Sequence, residues 1–429
     1  MEKIVSLCKR RGFVYPGSEI YGGLNGTWDL GPLGTTLARN IKHEWWKNTV
    51  SNREDVVGLN SSILHHPKVW DASGHIASFT DPLIECKKCH HRYRLDFVTV
   101  RFDKEKGKYW ICPACFEENT SEPRDFNLMF RTHLGSTEDS GTELYLRPET
   151  AQGIFINFLN VVNSTRVTVP FGIAQIGKGF RNEITTGNFL FRVREFEMME
   201  LEFFVEPGTD EKWHEYWKNE RLNWFLSLGI SKDHIKIVDL PKEDIAHYSR
   251  GTAELWYDWP FMGFGELEGI ANRGDYDLTQ HSKYSGKNLV FDDYTPYVIE
   301  PSVGVGRAML AFLVDAYSEV GDRVVLKLHS KLSPYKVAVF PLVANKPDLV
   351  TKAETVYRYL KPVTSVAWDD RGNIGKRYYA QDEIGTPWCV TVDYRSLADD
   401  TVTVRDRDTA KQERVNVSQL DTYFSQKLK

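Results

Sequence analysis

Two groups of residues have the types and spacing to do chemistry. The first is Cys86-x-x-Cys89 and Cys112-x-x-Cys115, two pairs with 22 residues between them. Each pair can form a knuckle supplying two thiolates. Two knuckles make a tetrahedral Zn²⁺ site with no open position, hence a structural site and not a catalytic one. The segment RLDFVTVRFDKEKGKYWI reads as a hairpin that spans the gap, and His90 and His91 after the first knuckle offer imidazoles as alternative ligands. The other cysteines, Cys8 and Cys389, stand alone. The start of the chain, MEKIVSLCKRRGFVYPG, lacks the apolar run of a secretory signal. In a long chain of that kind the paired cysteines argue for metal and against disulfides.

The second group is the run IGKGFRNEITTGNFLFRVREFEMMEL, Ile176 to Leu201, with three arginines, four glutamates and four phenylalanines. Read as two antiparallel strands joined by TTGN, its side chains are sorted by alternation. Arg181 and Glu183 share a face of the first strand. On the second, Arg192, Arg194, Phe196, Met198 and Glu200 share one face, and Phe191, Val193, Glu195, Glu197, Met199 and Leu201 the other. The former face is cationic at one end, aromatic in the middle and anionic at the far end. Two readings fit it. One is a salt-bridge ladder on a solvent-facing sheet. The other is a bed for a ligand with a phosphate, an aromatic ring and an ammonium. Arginine forks grip phosphate, phenylalanine stacks under a base, and glutamate accepts from an ammonium. Parity admits both Arg192 and Arg194 to such a bed.

The chain that must position these groups has 429 residues, enough for two or three domains. It is 41% hydrophobic and 26% charged, an ordinary globular composition. A net charge of -5 argues against a general polyanion binder but leaves room for a local basic face. No stretch approaches the ~18 apolar residues of a membrane helix, and a cytoplasmic protein is expected. GTDEKWHEYWKNERLNWFLSLG predicts an amphipathic helix, capped by Thr209 or Asp210 and stopped at Gly229, with Trp213, Trp217, Trp224 and Leu228 as its packing face. YGGLNGTWDLGPLG is a Gly-rich turn region before a helix and lacks both phosphate-loop spacings. EPSVGVGRAMLAFLVDAY takes another Gly-rich turn into an apolar helix. From residue 334 strands alternate with helices, which predicts a separate α/β domain. His65 and His66 read as interface or surface residues, and no Ser or Cys has the partners of a nucleophilic triad.

FRNE, a loop, Arg192-x-x-x-Phe196 and Glu200 together resemble motif 2 of the class II aminoacyl-tRNA synthetases. EPSVGVGR resembles their motif 3, and NSSILHHPKVW their motif 1, which would put Pro67 at a dimer contact. RPETAQG, FEMMEL, GELEGIANRGDYDL and YGGLNGTWDLGPLG are similar to the homodimeric glycyl-tRNA synthetases of that class, nearly end to end. The resemblance implies an α+β catalytic core on an antiparallel sheet, with a zinc-ribbon insertion and a C-terminal α/β anticodon-binding domain. It implies ATP-dependent attachment of glycine to the 3′ end of tRNA(Gly) through a glycyl-adenylate, in a cytoplasmic homodimer. The expected limits are 1–333 for the catalytic domain, with the ribbon at 85–130 and a helical insertion at about 206–250, and 334–429 for the anticodon-binding domain. In the latter, Arg371, Lys376 and Arg377 would meet tRNA.

Family roles carried over by position put Arg181, Asn182, Glu183, Phe191, Arg192, Val193, Arg194, Glu195, Phe196, Glu266, Leu267, Gly304, Val305, Gly306 and Arg307 at ATP. Arg181 would grip the α-phosphate, Phe196 lie under adenine, Glu183 accept from its amino group and Arg192 meet the γ-phosphate. Arg307 would cover the other face of adenine or the terminal phosphate. Arg181, Glu183 and Arg307 form the expected catalytic set. Arg94, Glu149, Phe196, Glu197, Met198, Met199, Glu200, Glu300, Pro301, Ser302, Val303 and Gly304 fall at glycine. Mg²⁺ would accompany ATP with Glu266 as a ligand, since hard cations take carboxylate oxygens. Gly304 and Gly306 would let the backbone approach the ligand closely. Some family members carry Ala and Asp where this chain has Val303 and Gly306. The alternatives are a class II synthetase for another amino acid and a non-catalytic, synthetase-like accessory protein. Retention of Arg181, Arg192 and Arg307 with Glu149 and Glu266 argues against the second.

Overall fold

The longest alternating runs, EFEMMELEFFV and GFGELEGIANRG, become inner strands of the central sheet. The computed structural model describes residues 1–95, 98–104, 107–135, 142–246 and 249–428. Seven strands form that sheet: β1 (Val56–Gly58), β2 (Phe171–Phe180), β3 (Glu195–Val205), β4 (Ile235–Asp239), β5 (Gly251–Trp259), β6 (Gly263–Gly274) and β7 (Tyr297–Gly304). They lie in the order β4-β5-β6-β7-β3-β2-β1, antiparallel throughout except for β1 beside β2. Period-two alternation gives the sheet two unlike faces. Met199, Leu201, Phe203, Ile270, Ile299 and Val303 enter one continuous core. That core also takes side chains from helices α1 (Pro32–Trp46), α2 (Asp210–Ser227) and α3 (Val305–Ala316). The opposite face carries Gln175, Phe196, Glu200, Glu202, Glu300 and Ser302. At its far end Phe171, Ile173, Phe204 and Val298 close against Ile154, Phe155 and Phe158.

The charged stretch is therefore no solvent-facing ladder: Glu183 and Glu200 are 8% and 1% exposed. It also departs from the expected two-strand hairpin. The second strand starts at Glu195, and 181–194 is a loop with a single bridge between Gly187 and Arg192. Strand parity does not govern Arg192 and Arg194. The loop folds back because Phe189 and Leu190 bury themselves in the core, and Phe189 packs edge-on to Trp28 at 4.8 Å. It is strapped to the N-terminal Gly-rich segment by Arg194 N–H to the Gly26 carbonyl (2.9 Å) and Thr186 Oγ1 to Asn25 Oδ1 (3.0 Å). Gly26 has φ 76°, and a Cβ there would stand 2.2 Å from Thr186. That glycine serves a close approach between loops.

Helix α2 buries Trp217, Trp224 and Leu228 as its pattern predicts, and Gly229 follows it at φ 101°. Thr209 is its N-cap but makes no side-chain cap bond. The same segment, read from sequence as a helical insertion, also supplies β4 at the sheet edge. The cysteine-bearing insertion consists of a three-stranded sheet (Arg92–Arg94, Thr80–Glu85, Arg124–Asn127) and the hairpin Thr99–Asp103/Gly107–Ile111.

Beyond residue 334 a second core forms on β8 (Val337–Pro341), β9 (Val366–Trp368), β10 (Trp388–Val392), β11 (Thr401–Asp406) and β12 (Gln412–Asn416), in the order β9-β8-β10-β11-β12. Helix α4 (Pro347–Leu360) buries Leu349, Ala353, Val356 and Leu360 against it. Helix α5 (Ile374–Ile384) carries Arg377, expected at tRNA, but that side chain is 1% exposed. Its guanidinium donates to the carbonyls of Pro341, Asp370, Arg371 and Gly372 and holds the preceding loop. Among the described residues no helix is long and apolar enough to cross a membrane.

Candidate active site

The acidic end of the ligand face is built from three elements. Glu200, on β3, accepts from the Thr150 amide (2.6 Å), the Thr150 hydroxyl and Ser302 Oγ (2.9 Å). Glu149, just before the helix Ala151–Phe155, accepts from Gln152 Nε2 at 3.0 Å and lies 3.3 Å from His75 Nε2. Glu300, on β7, accepts from Arg273 Nη1 at 2.5 Å, and Arg273 also forks onto Asp277 at 2.7 and 2.9 Å. Burial pushes the Glu300 carboxyl up to about 8; the charges of Glu200 and Glu149 add to this and Arg273 opposes it. Burial and the Glu149 charge raise Glu200 as well. For Glu149 burial is outweighed by His75, Arg273 and the Gln152 amide, which hold it well below the usual carboxylate range. Deeper still, Glu202 has no hydrogen-bond partner on either oxygen, and burial raises it strongly. Several carboxyls crowded around a single arginine, with Glu149 held low and Glu200 and Glu300 raised, offer acceptors to a small cation with several N–H donors.

The other end is cationic and aromatic. Arg181 Nε donates to the Pro148 carbonyl at 3.2 Å, and its guanidinium lies 5.4 Å from the ring centres of both Phe196 and Phe79. Arg307 pairs with Glu266 at 2.9 Å and covers Phe191 at 4.5 Å. The Arg307 charge holds Glu266 below its usual range, with smaller pulls from Arg181 and Arg192. Glu183 is buried with Oε2 unpartnered, and desolvation raises it against the charges of Arg192, Arg181 and Arg94. Arg192 thus lies among the converging charges. Arg194 does not: its guanidinium clamps the carbonyls of Glu183 (3.0 Å) and Asn25. Arg94 pairs with Asp81 at 3.3 Å and is felt at Glu183, on the cationic side and not among the acidic trio.

Several residues that the family pattern puts at the ligands turn their side chains elsewhere. Met199, Leu267, Val303 and Val305 are buried in the helix-side core, and Pro301 is buried with the parity of Val303. Glu197 pairs with Lys42 at 2.9 Å, and Glu195 pairs with Lys178 at the strand's exposed edge. Phe191 offers its ring to Arg307, and Asn182 is tied by its amide to the Leu128 carbonyl at 2.8 Å. A Cβ on Gly304 or Gly306 would meet only ordinary contacts, so the protein itself does not force glycine there. The forced glycines are Gly177 and Gly179 on β2. A Cβ on Gly177 would come within 2.3 Å of Arg147 Nη2, and one on Gly179 within 2.8 Å of the Phe196 ring. Their two-residue spacing in IGKGF was the available signal. Thr150 and Gln152 lay within RPETAQG, and Arg273 within GELEGIANRGDYDL, without being singled out; nothing in the sequence pointed to His75. His65, expected at an interface or the surface, is buried within the chain and stacked on Trp70 at 5.4 Å; His66 is exposed.

The four cysteine sulfurs lie within 4.8 Å of one another, with Cys86–Cys115 at 3.5 Å and Cys89–Cys112 at 3.6 Å. A tetrahedral Zn²⁺ with bonds of ~2.3 Å spaces its sulfurs by about 3.8 Å, so the set is compatible with that ion. His90 and His91 are exposed beside it.

Comparison with known proteins gives this geometry a context. Residues 130–316 match the tRNA synthetase class II core domain (G, H, P, S and T), and 336–427 match an anticodon binding domain. The glycine–tRNA ligase of Streptomyces coelicolor is 52% identical over a 453-residue alignment covering 100% of this chain and 98% of that protein. Those of Thermobifida fusca and Alkaliphilus oremlandii are 51% and 50% identical, each with 100% of this chain and 98% of its own length covered. Among solved structures, prolyl-tRNA synthetase from Cryptosporidium parvum, complexed with L-proline and AMP, superposes with a TM-score of 0.65 at 15% identity. That match covers 99% of this chain and 74% of the other and speaks to the fold alone.

Proposed function

The chain belongs to the glycine–tRNA ligases of class II and joins glycine to tRNA with formation of AMP and diphosphate; from that premise we propose how the two ends of its site divide the work. ATP takes the end with Arg181, Arg192 and Arg307. Glycine takes the end with Glu149, Glu200 and Glu300. The observation that carries this reading is that Arg181 stacks by Phe196 and donates to the Pro148 carbonyl beside Glu149, while Phe196 and Glu200 share one face of β3. In the first step a glycine carboxylate oxygen attacks the α-phosphorus in line, and the bond to the bridging oxygen breaks to release diphosphate. The protein's part is positioning and charge stabilisation: Arg181 at the α-phosphate, Arg307 and Arg192 toward the leaving phosphates. Phe196 supports adenine and the unpartnered Glu183 oxygen accepts from its amino group. In the second step a ribose hydroxyl of the terminal adenosine of tRNA attacks the glycyl carbonyl and AMP leaves. Mg²⁺ with ATP would be held by Glu266 once nucleotide phosphate takes Arg307 from it, and would neutralise phosphate charge.

Glycine has no side chain to hold, so selection rests on rejecting every larger rival. A pocket that binds ammonium tightly and leaves no room for a Cβ does this sterically. The harder task, rejecting an analogue smaller by a methylene that is worth only about 1–3 kcal/mol, does not arise. We further read Cys86, Cys89, Cys112 and Cys115 as a structural Zn²⁺ site, 1–333 as the catalytic unit and 334–429 as the tRNA-reading unit. Two copies of the chain would meet in the cytoplasm through the stretch before Pro67, where Ile63 and Leu64 are exposed. The deciding experiment is ATP–pyrophosphate exchange with each of the twenty amino acids. Glycine alone should support exchange; exchange with any other, or none with glycine, overturns the proposal.

A further inference from the structure

We infer that His75 is a positioning residue for the ammonium end of the site: its ring fixes the Glu149 carboxylate, and through it the affinity for glycine. The inference rests on the reading of Glu149 as an ammonium acceptor. Each Glu149 oxygen has its own donor, Oε1 from Gln152 Nε2 at 3.0 Å and Oε2 from His75 Nε2 at 3.3 Å. An ionised carboxylate only accepts, so His75 Nε2 carries a proton. The Gln152 arm is fixed in turn. Its amide also donates to Asp277 Oδ1 at 3.0 Å, and its oxygen lies 2.8 Å from His281 Nε2.

The His75 arm is fixed just as fully. Its Nδ1 lies 2.8 Å from Ser73 Oγ. Trp70 meets the ring edge-on at 5.6 Å and Phe79 packs on it at 5.2 Å. Its backbone follows Gly74 at φ 82°, and Asn127 Nδ2 donates to the carbonyls of both His75 and Ile76 at 3.0 Å. A histidine held at both nitrogens, on its ring and along its backbone has one orientation. That orientation aims one N–H at the Glu149 carboxylate. Without that donor Glu149 would swing toward Gln152 and Arg273 and present the ammonium with a displaced oxygen. Phe79 carries the Arg181 guanidinium at 5.4 Å, so the wall that seats His75 also seats the phosphate-end arginine.

The test uses His75→Asn and His75→Gln in ATP–pyrophosphate exchange, with glycine and ATP varied separately. Asparagine places an amide near Nδ1 and keeps Ser73 but loses Glu149. Glutamine reaches roughly to Nε2 and keeps Glu149. Losing one hydrogen bond to a charged group corresponds to roughly a ten- to hundredfold rise in KM for glycine in His75→Asn. KM for ATP should move less than about twofold, and His75→Gln should recover most of the loss. An unchanged glycine KM in His75→Asn overturns the inference. So does equal damage in the two variants, or a parallel rise in KM for ATP. If His75→Asn does not fold, Ser73→Ala decides: freeing the ring should raise the glycine KM severalfold, and no rise sinks the idea. Wild-type exchange and Glu149→Gln in the same assay separate the levels. No exchange with glycine in the wild type removes the function itself, and a glycine KM untouched by Glu149→Gln removes the reading of Glu149.

Discussion

Glu300 has the sharpest consequence for pH. An unfolded glutamate titrates near ~4.3, whereas burial and the charges of Glu200 and Glu149 put this one at about 8, with Arg273 opposing. Between those values the folded chain holds a proton that the unfolded chain has lost. Stability therefore falls as pH rises through that window and levels off above it. Glu200 and Glu202, also raised, contribute with the same sign. Glu149 works the other way: held low, it adds stability above its unfolded value, and that share fades as pH drops through the acid range. The ligand-free protein should thus melt at a lower temperature at pH 8 than at pH 5.5. Glu300→Gln should flatten that slope by about one proton's share. Equal slopes in melts of the two proteins would show that Glu300 does not hold the proton.

The ribbon shows what an element must do for the site. Strand Arg92–Arg94 begins three residues beyond the first knuckle and pairs Arg94 with Leu83, while Arg94 itself reaches Asp81 and the field at Glu183. Four thiolates brought together without a cation repel one another, so metal removal should loosen this sheet first. Chelation, or Cys112→Ser, should raise KM for ATP or lower activity severalfold while the C-terminal unit melts unchanged. Metal-free protein with unaltered kinetics would refute the link. How much of this was readable in advance differs by element. The cysteine spacing, the α2 packing face and the α/β tail follow from periodicity and metal geometry, and each formed where it was expected. The loop 181–194 did not, because alternation presumes a strand. Here Phe189 and Leu190 gain more by entering the core, so the backbone leaves the strand path and Arg194 ends as a clamp. His75, Gln152 and Arg273 were illegible for another reason. Their role exists only where separate segments converge, His75 on Glu149, Gln152 on Asp277 and Arg273 on Glu300, and no local period records it.

At the scale of the whole molecule the two units are tied by charge. Asp382 on α5 is fully buried between Arg405 (2.9 and 3.2 Å) and Arg323 (3.0 Å), and the neighbouring Glu383 takes Arg10 and Arg11 from the N-terminal helix Glu2–Arg11. The turn before α5 splits two arginines that sequence alone grouped together. Arg371 has a side chain 94% exposed, 3.9 Å from Asp369, and Lys376 is exposed on the first turn of the helix. Arg377 is buried on three carbonyls of the loop that presents them and on the Pro341 carbonyl at the end of β8. The two arginines should therefore fail differently. Arg371→Ala should weaken tRNA charging while leaving the melting curve and glycine-dependent exchange intact. Arg377→Ala orphans several buried carbonyls at about 1–3 kcal/mol apiece before relaxation, so it should destabilise the C-terminal unit by on the order of 3 kcal/mol. Charging would then fall together with the melting temperature. Because Arg323, Arg10 and Arg11 would lose an ordered α5 to bind, exchange should decline as well. If Arg377→Ala lost charging with unchanged melting and exchange, Arg377 would be an RNA contact after all; if Arg371→Ala lost exchange, the turn would be supporting the fold and not reading tRNA.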